Sequence, residues 1–87
     1  MRYVRSNKTI TGRLRDELVM MDMEQGKYFG LNSVAARIWE ILEVPMDIEG
    51  LCQVLTDEYD VDADVCRHDV EEHLAEMEGL GLVTRGS

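Results

Sequence analysis

The sequence predicts an α+β domain, a three-stranded antiparallel sheet followed by three helices. Three observations carry that reading. Apolar residues between Lys8 and Leu31 follow the two-residue alternation of strands. From Asn32 to about Leu80 they recur at spacings of three and four, the period of a helix. Between the strand-like runs, Glu24-Gln25-Gly26 has the length of a hairpin connection, with glycine where a left-handed residue is wanted.

The first predicted strand covers Lys8 to Leu14, where Thr9, Ile10 and Thr11 favour extended backbone and Gly12 weakens it as an edge or bulge glycine does. Arg15-Asp16 is a polar break. The second, Glu17 to Met23, places Val19, Met21 and Met23 on one face and Leu18, Met20 and Asp22 on the other. Both faces are largely apolar, so this strand is expected to be central and covered on both sides, one cover being a possible partner that flexible methionines suit. The third strand is Lys27 to Leu31: Phe29 and Leu31 point inward, Tyr28 and Gly30 outward. In a meander this strand pairs on one side only. Its other edge is protected by little more than Lys27, and Gly30 lets another backbone approach.

Asn32 or Ser33 caps the first helix, with a stripe of Val34, Ala35, Ile38, Trp39 and Leu42. Pro45 closes that helical region. Asp47 caps the second helix, whose stripe is Ile48, Leu51, Cys52, Leu55 and Tyr59, and Gly50 is expected to let a neighbouring helix come close. Asp62 caps the third, from Ala63 to about Leu80, with Cys66, Val70, Leu74 and Met77 inward and Gly79 and Gly81 as terminators. Leu82 and Val83 pack back. The last two helices resemble a helix-turn-helix, and with the strands the chain reads as winged-helix-like. Residues 1–7 are expected to be a flexible arm, 8–83 the domain and 84–87 a tail.

Eighty-seven residues make one domain. A chain of this size buries roughly 60–65% of its unfolded surface, which suffices for a core without staples. With neither a membrane-length apolar run nor a signal-peptide core, it reads as cytosolic and off the membrane. Cys52 and Cys66 are too few for a disulfide scaffold and read as packed thiols. The net charge of −9 is uneven: residues 1–15 carry five bases and no acid, whereas residues 38–87 carry fourteen acids and two bases. An acidic helical body repels phosphate backbones and anionic lipid and favours a basic or neutral partner.

Chemistry-bearing constellations are sparse. Cys66, Asp69 and His73 share a helical face but lack a fourth ligand, so no metal is expected. Neither cysteine sits in a nucleophile motif, and no phosphate-binding loop implies a cofactor. Glu71, Glu72, Glu76 and Glu78 read as a solvated face. A DNA-reading third helix would need more than Arg67 and two histidines against its six acids. What remains is recognition of a peptide as an added strand. Lys27, Tyr28, Phe29, Gly30 and Leu31 supply the edge. The third helix walls the groove, with Val70, His73 and Leu74 as an apolar floor with a polar margin.

Three stretches carry a resemblance: Gly26-Lys27-Tyr28-Phe29-Gly30-Leu31-Asn32, then Ala36-Arg37-Ile38-Trp39-Glu40-Ile41-Leu42, then Asp69-Val70 and Leu74 ahead of Gly79-Leu80-Gly81-Leu82. From about Leu18 to Val83 the chain resembles PqqD-like proteins, the precursor-peptide recognition elements of ribosomally made, post-translationally modified peptide (RiPP) pathways. The resemblance implies three strands then three helices and a non-catalytic role. It also implies that the leader of a precursor peptide binds as a strand against Lys27–Leu31, beside Cys66, Arg67, Val70, His73 and Leu74. The short stand-alone form looks most like the B1 proteins of lasso-peptide pathways, whose partners are a transglutaminase-like leader peptidase and an asparagine-synthetase-like cyclase. The alternatives are the pyrroloquinoline-quinone pathway with a radical SAM enzyme, and a winged-helix DNA-binding regulator.

Overall fold

The computed structural model describes residues 2–6, 9–15 and 17–86. Its elements run β1 (Arg2–Arg5), β2 (Thr9–Leu14), β3 (Glu17–Asp22), β4 (Lys27–Leu31), α1 (Ser33–Ile41), α2 (Ile48–Glu58), α3 (Ala63–Gly79) and β5 (Val83–Gly86). The sheet β2-β3-β4 is an antiparallel meander followed by three helices, as the alternation predicts. Lys8 and Asp16, which the sequence reading used, lie outside the described residues.

Each helix begins on the cap its sequence offers. The Asn32 side chain accepts from the Ala35 N–H at 2.9 Å, and Asp47 accepts from the Gly50 N–H at 2.8 Å. Asp62 accepts from the Asp64 N–H at 2.8 Å. The third helix stops in a Schellman arrangement. Gly81 takes φ 79° and donates to the Glu78 carbonyl at 3.1 Å, while Leu82 donates to that of Met77 at 2.9 Å. This turn drops Leu82 and Val83 into the core, where both are buried. Gly50 serves the cap rather than a helix crossing. A side chain there would meet Asp47 Oδ1 at 3.2 Å and the Met46 side chain.

The hairpin between β3 and β4 explains an acid on an apolar face. Asp22 is buried, yet its Oδ1 accepts from the Glu24 and Gln25 N–H groups at 2.9 and 3.3 Å. Its carbonyl accepts from Gly26, which holds φ 66°. A buried carboxylate so satisfied fixes the turn, and with it the register that sets Met20 opposite Phe29 and Met21 opposite Tyr28.

The inner face of the sheet carries Leu18, Met20 and Leu31 under α1, whose Ala35, Ile38, Trp39 and Leu42 complete that layer. Leu51 and Leu55 of α2 pack on α3 through Val70, Leu74 and Met77. Each fully buried aliphatic side chain stabilises the fold by roughly 1.5–3 kcal/mol. Two expectations about these faces are corrected. Val34 is exposed, because only four of the five stripe residues of α1 turn toward the core. The outer face of β3 is half-open, with Val19 and Met21 partly buried and Met23 exposed, so the strand is central in the sheet but covered on one side by this chain.

Across their described residues, the expected arm at 1–7 and tail at 84–87 are corrected too. Arg2–Arg5 and Val83–Gly86 pair antiparallel as a second sheet. Tyr3 also exchanges backbone hydrogen bonds with Met46, at 2.7 and 3.3 Å. The physical cause lies in alternate side chains. Tyr3 is buried in the core, and the Arg5 guanidinium stands 4.7 Å over the Trp39 ring while donating to the Trp39 carbonyl at 3.2 Å. Four residues whose partners lie about forty and eighty positions away give no local signal.

Ion pairs stitch the layers from outside. Arg13 of β2 meets Glu40 of α1 at 2.7 Å, and Arg37 of α1 forks onto Glu58 of α2. The hydrogen bond from Arg37 holds the Glu58 carboxyl below its ordinary value of 4.5, against a smaller opposing effect of burial.

Two outcomes follow from this packing. Tyr3→Ala should lower unfolding free energy by roughly 3 kcal/mol in urea titration, as loss of a buried aromatic does; an unchanged midpoint would restore the flexible arm. Because Glu58 has a depressed folded pKa, the stability its pair contributes is present above pH 4.5 and disappears as pH falls through the folded value. Wild type and Glu58→Gln should therefore differ slightly at neutral pH and converge in acid, read as thermal midpoints across pH.

Candidate functional site: the open edge of β4

β4 pairs with β3 along Leu18–Leu31 through Asp22–Lys27, and among the described residues no strand pairs with its other edge. The N-terminal strand, which might have filled that place, is paired with β5 instead. An extended strand of five residues offers roughly 16 Å of unpaired main-chain donors and acceptors along one edge.

Beside this edge lies a groove of about 370 Å³. One wall is Tyr28, Phe29, Gly30 and Leu31 of β4, continued by Asn32 and Ala35 at the start of α1. The other wall is the C-terminal half of α3: His73, Glu76, Met77 and Leu80. The floor is apolar, through buried Leu31, Ala35 and Met77 with partly buried Leu80. The margin is polar, through His73, Glu76 and Asn32. Tyr28 stands at the rim with 72% of its surface exposed. A side chain added at Gly30 would first meet the carboxylate end of Glu17, at 3.2 Å, so the backbone there is shielded only by a movable group.

All five strand residues read from the sequence therefore lie on the edge, Lys27 at its beginning and the other four along the groove. On the helix side only His73 is brought to it. Cys66, Val70 and Leu74 are buried in the core, and Arg67 points elsewhere, paired with Glu71 at 3.1 Å. Cys66 and Val70 instead line a second apolar depression farther back along α3, and the difference has a geometric reason. Cys66, Val70 and Leu74 lie on the inward stripe ahead of the groove, which meets α3 nearer its C-terminus, where Met77 of that stripe is joined by His73, Glu76 and Leu80. Glu76, Met77 and Leu80 were missed on α3. Extending the series from His73 by three, four and seven residues would have found them, but which half of α3 passes β4 is set by the tertiary crossing.

Elsewhere the cysteines carry no reactive geometry. Burial, and then the neighbouring Cys66, push the Cys52 thiol up, which keeps it protonated at neutral pH and a poor nucleophile. Among the described residues no group of three or more His, Cys, Asp and Glu is arranged to hold a metal ion, and no helix is long and apolar enough to cross a membrane.

A protein-family model described as "Coenzyme PQQ synthesis protein D (PqqD)" matches residues 17–83. The chain belongs to the PqqD family. The match starts at the first residue of β3 and ends at the first of β5, so the family's shared part is the open-edged hairpin and the three helices. No curated protein matches the chain. Two solved structures share the PqqD-like fold with it. One, described as "TbiB1 in Complex with the TbiA(beta) Leader Peptide", is 27% identical with a TM-score of 0.85, covering 97% of this chain and 98% of its own. The other, "Lasso peptide synthetase B1 complexed with the leader peptide", is 21% identical with a TM-score of 0.80, covering 95% and 98%.

If Tyr28 is a surface group held ready at the rim, Tyr28→Ala should change unfolding free energy by no more than about 0.5 kcal/mol. Leu31→Ala, on the floor, should cost roughly 2–5 kcal/mol. Equal effects in urea titration would mean that the edge is packed against something.

Proposed function

We propose that this protein is a non-catalytic adaptor of RiPP biosynthesis that binds the leader of a precursor peptide by strand addition along Lys27–Leu31. It then delivers the peptide to a leader peptidase and a cyclase of a lasso-peptide pathway. The single observation that carries the reading is the unpaired edge of β4 running beside a groove with an apolar floor. The relative at 27% identity, described as bound to a leader peptide, supports the same reading.

The physics divides the task. Main-chain pairing along β4 is indifferent to sequence and supplies orientation. Selectivity would come from alternate side chains of the leader: those turned inward meet Leu31, Ala35, Met77 and Leu80, while those turned outward lie beside Tyr28. His73 and Glu76 would read polar groups at the margin. The helical body, with its excess of acids, favours a leader that is neutral or basic along its length.

Between pathways, residues 24–42 favour the lasso assignment. The pyrroloquinoline-quinone pathway, where the partner would be a radical SAM enzyme, is favoured by one observation, the description carried by the family model itself.

Strand addition is testable with proline, which deletes a ladder donor. Backbone N–H groups alternate between the two edges of β4, so one of Tyr28→Pro and Phe29→Pro strikes the free edge and the other strikes the pairing with β3. The variant whose circular dichroism is unchanged should lose leader binding by at least about tenfold, a deficit of about 1.4 kcal/mol. Isothermal titration calorimetry with the leader peptide encoded beside the gene suits this test, because Trp39 is buried under Arg5 and lines no part of the groove. A folded variant that binds as wild type does would remove the strand-addition reading.

A further inference from the structure

Of the ten described residues that line the groove beside β4, Glu76 is the one acid, and none is Lys or Arg. The other glutamates of α3 are engaged. Glu71 meets Arg67 at 3.1 Å, Glu72 meets His68 at 3.4 Å and Glu78 meets Arg85 at 3.0 Å. Glu76 is exposed and forms no ion pair with a described residue. Between Arg67 and Arg85 the chain has no Lys or Arg to compete for that carboxylate. Lys27, the base of β4, stands at the beginning of the strand and lines no part of the groove.

An unpaired acid beside an apolar floor is neutral toward nothing that covers it. In the free protein the carboxylate is solvated and costs little. Under a guest without a base it loses water and gains no partner. Beside Lys or Arg it forms a charge-assisted hydrogen bond instead. One residue thus admits basic guests and turns acidic ones away. Strand geometry says where the base must stand. Alternate side chains of an added strand turn toward α3. Those that reach Glu76 belong to the set that meets Leu31, Met77 and Leu80. The base therefore lies an even number of residues from an apolar anchor.

We propose that Glu76 is a specificity-determining residue of the groove, selecting peptides that carry Lys or Arg two or four residues from an apolar side chain. The inference rests on the strand-addition reading and narrows it to one class of guest.

The probe is a surface-displayed library of random peptides about nine residues long, enough to overrun the roughly 16 Å of β4 at both ends. It is sorted against full-length wild type, Glu76→Lys and Glu72→Lys, each checked by circular dichroism. Glu72→Lys makes the same change in net charge outside the groove. Sequences selected by wild type should hold Lys or Arg at one position, evenly spaced from an apolar residue. Glu76→Lys should turn that position to Asp or Glu, whereas Glu72→Lys should leave it basic. For a synthetic peptide selected by wild type, Glu76→Lys should weaken binding by about tenfold or more, because it sets like charges together. Glu76→Gln should weaken it by about two- to fivefold, the range of an exposed pair. The inference is overturned if Glu76→Lys selects the wild-type sequences, or if the base falls only at odd spacing. It is also overturned if Glu72→Lys switches the selection as fully, which would assign the preference to overall charge. Those three results leave strand addition standing. A library with no binder to wild type would instead strike the strand-addition reading itself, and the inference with it.

Discussion

The molecule is organised by a row of backbone groups on β4 that no strand pairs among the described residues. Exposed strand edges invite aggregation, and folds blunt them with charge, proline, a bulge or a covering element. Here the chain has a spare strand at hand, since β1 precedes the sheet and has the length to cover a neighbour. It is used at the opposite end of the chain, against β5, where Tyr3 fills the core and Arg5 clasps Trp39. The opening beside β4 is therefore a consequence of how strands are allotted, and its position is set by the elements around it. The Asp22 turn sets the register of the hairpin. Asn32 starts α1 immediately after the last strand residue, and α3 stands off across the groove.

Much of this was legible in the sequence, and what was legible shares one property: its cause lies within a few residues. The caps at Asn32, Asp47 and Asp62, the glycine at position 26 and the limits of β4 all follow from local chemistry, and each stands where its residue type predicts. The strand half of the site was readable for the same reason, because an edge is a property of strand order and a meander is the default for consecutive hairpin-linked strands. The helix half was not. Periodicity identifies the stripe of α3 that is buried, but a groove wall lies on the border between buried and solvated stripes. Its position along the axis depends on the angle at which α3 passes β4. β1 escaped for a related reason: Arg-Tyr-Val-Arg alternates like a strand, but with four residues and no nearby partner the pattern carries no weight on its own.

The energetics of an added strand explain why an open edge needs the groove beside it. Each main-chain hydrogen bond formed with a visiting peptide replaces one made with water and contributes about 0.5–1.5 kcal/mol net. Ordering each residue of a flexible peptide costs roughly 1–2 kcal/mol, and a strand against β4 orders about as many residues as it makes bonds. The two nearly cancel. Backbone pairing along Lys27–Leu31 can fix the direction and register of a guest, but it cannot hold one. The surplus must come from apolar side chains leaving water, at roughly 25 cal/mol for each Å² buried, and the surface available for that is the floor made by Leu31, Ala35, Met77 and Leu80. On the proposed reading, the open edge sets how a peptide lies, and the wall of α3 beside it sets which peptide stays.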